Sequence, residues 1–166
     1  MANLFTADDS TGPRYLDLTN GGTDVFYDVL TLAGCVIAQT PWQRNLVLRF
    51  ADGHRLGRGC DGFDLAELPW TGDWPAEKAF LDQLIALALT RHGWDRLNYD
   101  PPYAIQYLTR FREMLAGYTP VPEPTPKWGD WRLPPAAALT AECDTHSLYV
   151  GEYGCRLCDE YIQPPP

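Results

Sequence analysis

Residues 143–158 read Cys-Asp-Thr-His-Ser-Leu-Tyr-Val-Gly-Glu-Tyr-Gly-Cys-Arg-Leu-Cys, placing three of the five cysteines and one of the three histidines within sixteen positions. A stretch of about 40 residues cannot bury enough apolar surface to hold a fold, and such pieces normally need disulfides or a metal. The spacing resolves into two chelating pairs, Cys143-x2-His146 and Cys155-x2-Cys158, separated by eight residues. A two-residue gap lets the chain curl so that both side chains of a pair reach one ion. Gly151 and Gly154 supply bends, and the β-prone 148–150 stretch allows a hairpin that brings the second pair back over the first. Three thiolates and one imidazole suit tetrahedral Zn²⁺, with Zn–S near ~2.3 Å and Zn–N near ~2.0–2.1 Å. The alternatives are reduced core cysteines beside a surface histidine, or a disulfide. Neither accounts for so many soft ligands in so short a piece.

Cys143, His146, Cys155 and Cys158 together resemble the ligand sets of zinc-ribbon and zinc-knuckle modules. The likeness covers about residues 141–161 and implies a structural Zn²⁺ cofactor in a metal-organised hairpin. Four protein ligands close the tetrahedron and leave no position for a reacting water, so the expected role is structural rather than catalytic. Glu142, Asp144, Glu152 and Asp159 are available carboxylates, but acidic residues fill this whole region. The deaminase pattern is missing: His146 is followed by Ser147-Leu148, and no proline precedes Cys155. No catalytic residue and no organic cofactor site is assigned.

The formal charge is −9, from 13 Lys+Arg against 22 Asp+Glu, with both halves of the chain acidic. Phosphate contacts dominate nucleic-acid affinity, so an acidic chain without a basic stripe is a poor ligand for free DNA or RNA. It suits solubility or docking onto a basic protein. The opening residues lack the basic and apolar regions of a secretory signal, and no run approaches 18 apolar residues, so a cytoplasmic protein without membrane spans is expected. Cytosolic cysteines stay reduced, which again favours metal over disulfide.

The expected organisation is a flexible arm at 1–11, an α+β body at 12–118, a Pro/Trp-rich connector at 119–138, a zinc-binding module at 139–162 and a tail at 163–166. The fold class predicted is a small antiparallel sheet packed with two to three helices, followed by the connector and a zinc-bound hairpin. Residues 15–18 alternate as a strand ending at Asn-Gly-Gly. Thr23 could cap a helix with Val25, Phe26, Val29, Leu30 and Ala33 on one face and Gly34 as terminator, with a strand as the alternative. Residues 46–50 alternate before Asp52-Gly53, which predicts a hairpin returning through 54–56. The clearest helix follows Pro75, with Phe80, Leu81, Leu84, Ile85, Leu87 and Ala88 forming a broad apolar face that ends near His92-Gly93. Another follows Asp100-Pro-Pro102, with Ile105, Tyr107, Leu108, Phe111, Met114 and Leu115 as its stripe. From Thr119, prolines at 120, 122, 124 and 126 read as an extended polyproline spacer, with Trp128 and Trp131 available to pin it down.

Cys35 sits in an apolar run, where a thiol is usually inert packing. Cys60, in Arg58-Gly-Cys-Asp-Gly62, is the more exposed to activation, through Arg58, with His54 and His92 as available partners. The stretches Phe63-Asp-Leu-Ala-Glu-Leu-Pro-Trp70, Lys78-Ala-Phe-Leu81 and His92-Gly-Trp-Asp-Arg-Leu-Asn-Tyr99-Asp-Pro resemble small bacterial cytosolic proteins of the toxin-immunity kind. That resemblance, over about 63–118, implies a non-enzymatic protein that binds and blocks a partner, such as a basic nuclease toxin. Two other readings stand beside it. One is a zinc-dependent adaptor that contacts nucleic acid near Arg156 and Lys127. The other is an enzyme that uses Cys60.

Overall fold

A computed structural model describes residues 3–55 and 61–159. Two short strands, β1 (Asn3–Thr6) and β2 (Tyr15–Leu18), pair antiparallel with Asn3 opposite Leu18 and Thr6 opposite Tyr15. Four helices follow: α1 (Asn20–Ile37), α2 (Pro41–Ala51), α3 (Trp74–Leu89) and α4 (Ala104–Ala116). The architecture is α+β, and the segment after the helices carries the cysteine–histidine cluster.

Residues 3–6 of the stretch expected to be a flexible arm form the first strand, and residues 1–2 lie outside the described residues. Phe5 and Ala7 are fully buried, and Phe5 meets Phe26 and Phe63 edge-on at 5.1 Å. Alternation puts Asn3 and Phe5 on the inner face together with Leu16 and Leu18, so a two-stranded ribbon is stabilised by packing on α1 and α4.

Helix α1 is the central element, buried from Gly22 to Gly34 and packed against the other three helices. It starts earlier than expected because Thr19, rather than Thr23, is the cap: its Oγ1 accepts the Gly22 N–H at 3.0 Å. It also runs past Gly34. A Cβ there would lie 2.6 Å from Val47 Cγ2 and 3.1 Å from Leu84 Cδ1, so this glycine permits close approach of α2 and α3.

Residues 46–50 are helical, which overturns the expected hairpin. The decisive signal precedes them: Thr40 and Gln43 form a reciprocal capping box, and Pro41 occupies the first turn. Trp42, Leu46, Val47 and Phe50 then share the buried face, and Asp52 caps the far end, its N–H donating to the Leu48 carbonyl at 2.8 Å. Residue 56 of the expected return strand lies outside the described residues. Helices α3 and α4 bury Phe80, Leu81, Leu84, Ile85 and Ala88, and Leu108, Phe111, Met114 and Leu115, as the periodicity predicts; Leu87, Ile105 and Tyr107 are half-buried.

The proline-rich stretch lies along the helical body. Trp131 is buried edge-on to Trp42 at 5.6 Å, and Trp42 in turn stacks on Trp70 at 5.4 Å. Trp128 stacks on Trp131, with the Arg49 guanidinium 4.9 Å above its ring. Asn45 Nδ2 donates to the Leu133 carbonyl at 3.0 Å, fixing the path beyond.

Candidate metal centre

Residues 141–150 form a hairpin that uses the 148–150 stretch, but it carries the first pair and ends before the second. The Cys143 N–H donates to the Leu148 carbonyl at 2.8 Å, the Val150 N–H to Ala141 at 2.9 Å, and Glu142 bridges Tyr149. The turn is closed by the Ser147 N–H on the Cys143 carbonyl at 2.8 Å, which puts Cys143 and His146 on its inner side. The chain then bends at Gly151 and Gly154, both in the left-handed region, and ends in a 3₁₀ turn, Arg156–Cys158. That turn presents Cys155 and Cys158 to the first pair.

The four ligand atoms converge, all within 4.8 Å of one another. His146 Nδ1 lies 3.8 Å from Cys143 Sγ, 3.6 Å from Cys155 Sγ and 3.3 Å from Cys158 Sγ, and the two sulfurs of Cys143 and Cys158 are 3.7 Å apart. A disulfide needs its sulfurs about 2.05 Å apart, and these cysteines are free thiols. A tetrahedron built on Zn–S of ~2.3 Å and Zn–N of ~2.05 Å has S···S edges of about 3.8 Å and S···N edges of about 3.6 Å. The donor set therefore fits a metal ion and is consistent with zinc.

The electrostatics of the bare side chains point the same way. Burial opposes a thiolate at Cys143, but the His146 and Thr145 N–H groups and the His146 ring outweigh it and hold this thiol at about 6. Burial raises Cys155, and burial together with the adjoining sulfurs pushes Cys158 up to about 12. Three sulfurs this close cannot all ionise beside one another; a central dication removes that conflict and deprotonates coordinating thiols.

The body holds this loop through named groups. Arg96 Nη1 donates to the His146 carbonyl at 2.7 Å, and the Tyr149 N–H donates to Cys35 Sγ at 3.4 Å. Arg55 donates to the Tyr153 and Gly154 carbonyls and to Asp159. Asp52 accepts the Glu152 N–H at 3.1 Å. Leu148, Cys155 and Leu157 bury against Leu32 of α1.

Arg156 reaches deepest. Its side chain is fully buried, with Nε donating to Asp28 Oδ1 and Nη1 donating to the carbonyls of Phe50, Ala51 and Gly53 at 3.0 Å each. Arg156 is therefore not available to nucleic acid, whereas Lys127 is exposed and paired with Glu67 at 2.8 Å. No sequence rule anticipated the role of Arg156. The one available signal was its place inside the Cys155-x2-Cys158 pair.

Of the remaining candidates, Cys35 is a half-buried thiol pushed up to about 12 by desolvation, in keeping with inert packing. His54 is buried with Nδ1 2.6 Å from Asp24 Oδ1. Cys60 and Arg58 lie outside the described residues. A 710 Å³ cavity opens at the start of α4, between Arg91, Trp94, Tyr103 and Arg110, and none of the cluster residues lines it. Among the described residues, no helix is long and apolar enough to cross a membrane. No family model, curated protein or solved structure matches the chain.

Proposed function

We propose that Cys143, His146, Cys155 and Cys158 bind one structural Zn²⁺, and that the protein is a non-enzymatic, protein-binding module shaped by that ion. The observation that carries the metal is the convergence of four soft ligands within 4.8 Å. Sulfur-rich tetrahedral sets favour zinc over the hard divalent cations, and a full set of protein ligands leaves no open position for substrate or hydroxide. Replacing zinc with cobalt(II) tests both features. An intense tetrahedral visible spectrum with sulfur-to-metal charge transfer, unaltered by added anions, is expected. A weak five- or six-coordinate spectrum, or one that shifts with azide, would overturn the closed-site reading.

The partner proposed is a basic protein, such as a toxin held by an immunity-type antagonist. What supports it is the disposition of charge. Arg55 and Arg156 turn inward, and Arg49, Arg112, Lys127 and Arg132 are paired with Asp61, Asp82, Glu67 and Asp130, within a chain whose net charge is −9. Electrostatic complementarity of this kind steers association and is screened by salt. Co-expression with the products of neighbouring genes, followed by capture at increasing salt, is expected to retain a basic protein that elutes as salt rises. A monomer that retains nothing and rescues no toxicity would refute it.

A further inference from the structure

We infer that the bound cation works as a latch on the helical body, because it holds Arg156 in place as the buried counter-ion of Asp24 and Asp28 in α1; this rests on the metal reading above. Arg156 lies between two ligands in the chain, so a cation held by Cys155 and Cys158 fixes its backbone. The side chain leaves the loop and is buried in the core. Asp24 and Asp28 stand one helical turn apart, both with fully buried side chains. Arg156 donates to Asp28 Oδ1, and its Nη2 lies 4.0 Å from Asp24 Oδ1. Asp24 is also met by His54 Nδ1, and Asp28 by the Tyr99 hydroxyl. The guanidinium further lies 5.7 Å from the centre of the Tyr27 ring and donates to the Phe50, Ala51 and Gly53 carbonyls at and just beyond the end of α2.

The rest of the attachment is weaker in kind. Arg55, Arg96 and Asp52 hold the loop through hydrogen bonds, and its buried apolar anchors are Leu148, Tyr149, Cys155 and Leu157. Among its described residues the loop has a single β-bridge and one 3₁₀ turn of its own, too little regular structure to persist without the ion. Loss of the cation frees Arg156 and takes the guanidinium away from Asp28 and Asp24, which keep the Tyr99 hydroxyl and His54 respectively. Removing one partner of a buried ion pair is far more damaging than never having had the pair.

Hydrogen exchange of the zinc-loaded chain, before and after a strong chelator, tests the latch. Exchange at the α1 amides around Asp24 and Asp28 is expected to accelerate roughly a hundredfold or more on chelation, in line with breaking a buried pair. In the Asp24→Asn/Asp28→Asn chain, chelation is expected to leave α1 nearly unchanged, since no buried charge then needs Arg156. If that variant does not fold, Arg156→Met, which keeps all four ligands, is expected to bind one zinc while α1 already exchanges fast. Unchanged α1 exchange after removal of stoichiometric zinc would overturn the latch and leave the metal site standing. Chelator sensitivity equal to wild type in the double variant, or slow exchange in zinc-loaded Arg156→Met, would overturn it too. A purified chain that holds no zinc would overturn both readings.

Discussion

Gly151→Ala probes how the metal loop docks on the body. Gly151 has φ of +57°, and a Cβ built there would lie 2.1 Å from Asp52 Oδ1, 2.8 Å from its Cγ and 2.9 Å from Oδ2. The carboxylate occupies the space that a methyl group needs. The left-handed backbone alone costs alanine about 1–2 kcal/mol. The carboxylate must also swing away from the Glu152 N–H, which it accepts at 3.1 Å near the surface. Losing a hydrogen bond to a charged acceptor costs about 1.5 kcal/mol at the low end of its range, the end appropriate to an exposed site. The sum is about 3 kcal/mol, which for a chain of this size lowers Tm by about 6–12 °C. A thermodynamic cycle with Asp52→Ala isolates the contact. Without the carboxylate, Gly151→Ala retains only its backbone penalty, so urea titrations of the four zinc-loaded chains should give a coupling above about 1 kcal/mol. Additivity within about 0.5 kcal/mol would show that Asp52 does not press on Gly151 and that the loop sits elsewhere.

Trp131→Ala is expected to destabilise the zinc-loaded chain by about 3 kcal/mol, since it empties a buried indole site against Trp42. Urea midpoints followed by tryptophan fluorescence check it, and a change under about 0.5 kcal/mol would make the proline-rich stretch a free spacer. Asp61→Asn is expected to flatten the acid limb of stability. Burial disfavours the Asp61 carboxylate, but Arg49 at 2.9 Å and the Gly62 and His54 N–H groups overcome this and hold it below the usual range. The unfolded chain then binds the proton more readily. The contribution is present above the ordinary carboxylate value of about 3.9 and disappears as pH falls through the lower folded value. Paired urea titrations through that window should converge at acid pH, and parallel curves would contradict the assignment.

The cysteine–histidine cluster was legible because its paired x2 spacing is a local pattern that no later packing can alter. Helices α3 and α4 were legible for a similar reason, since their stripes keep one period over several turns. Residues 46–50 misled because five alternating residues fit a strand as well as a helix, and the arbiter was the Thr40–Gln43 box upstream. The strand at Asn3–Thr6 was hidden because its worth depends on Phe5 meeting Phe26 and Phe63, partners far away in sequence. The Arg156 network is the extreme case: its acceptors lie more than a hundred residues earlier, and nothing local announces them.

X-ray absorption at the zinc edge of the purified chain, prepared without added metal or chelator, addresses the centre of the account. One zinc per chain is predicted, with three sulfurs at ~2.3 Å, one nitrogen at ~2.0–2.1 Å and no water in the shell. Substoichiometric zinc, or a shell of light atoms lacking sulfur, would contradict it.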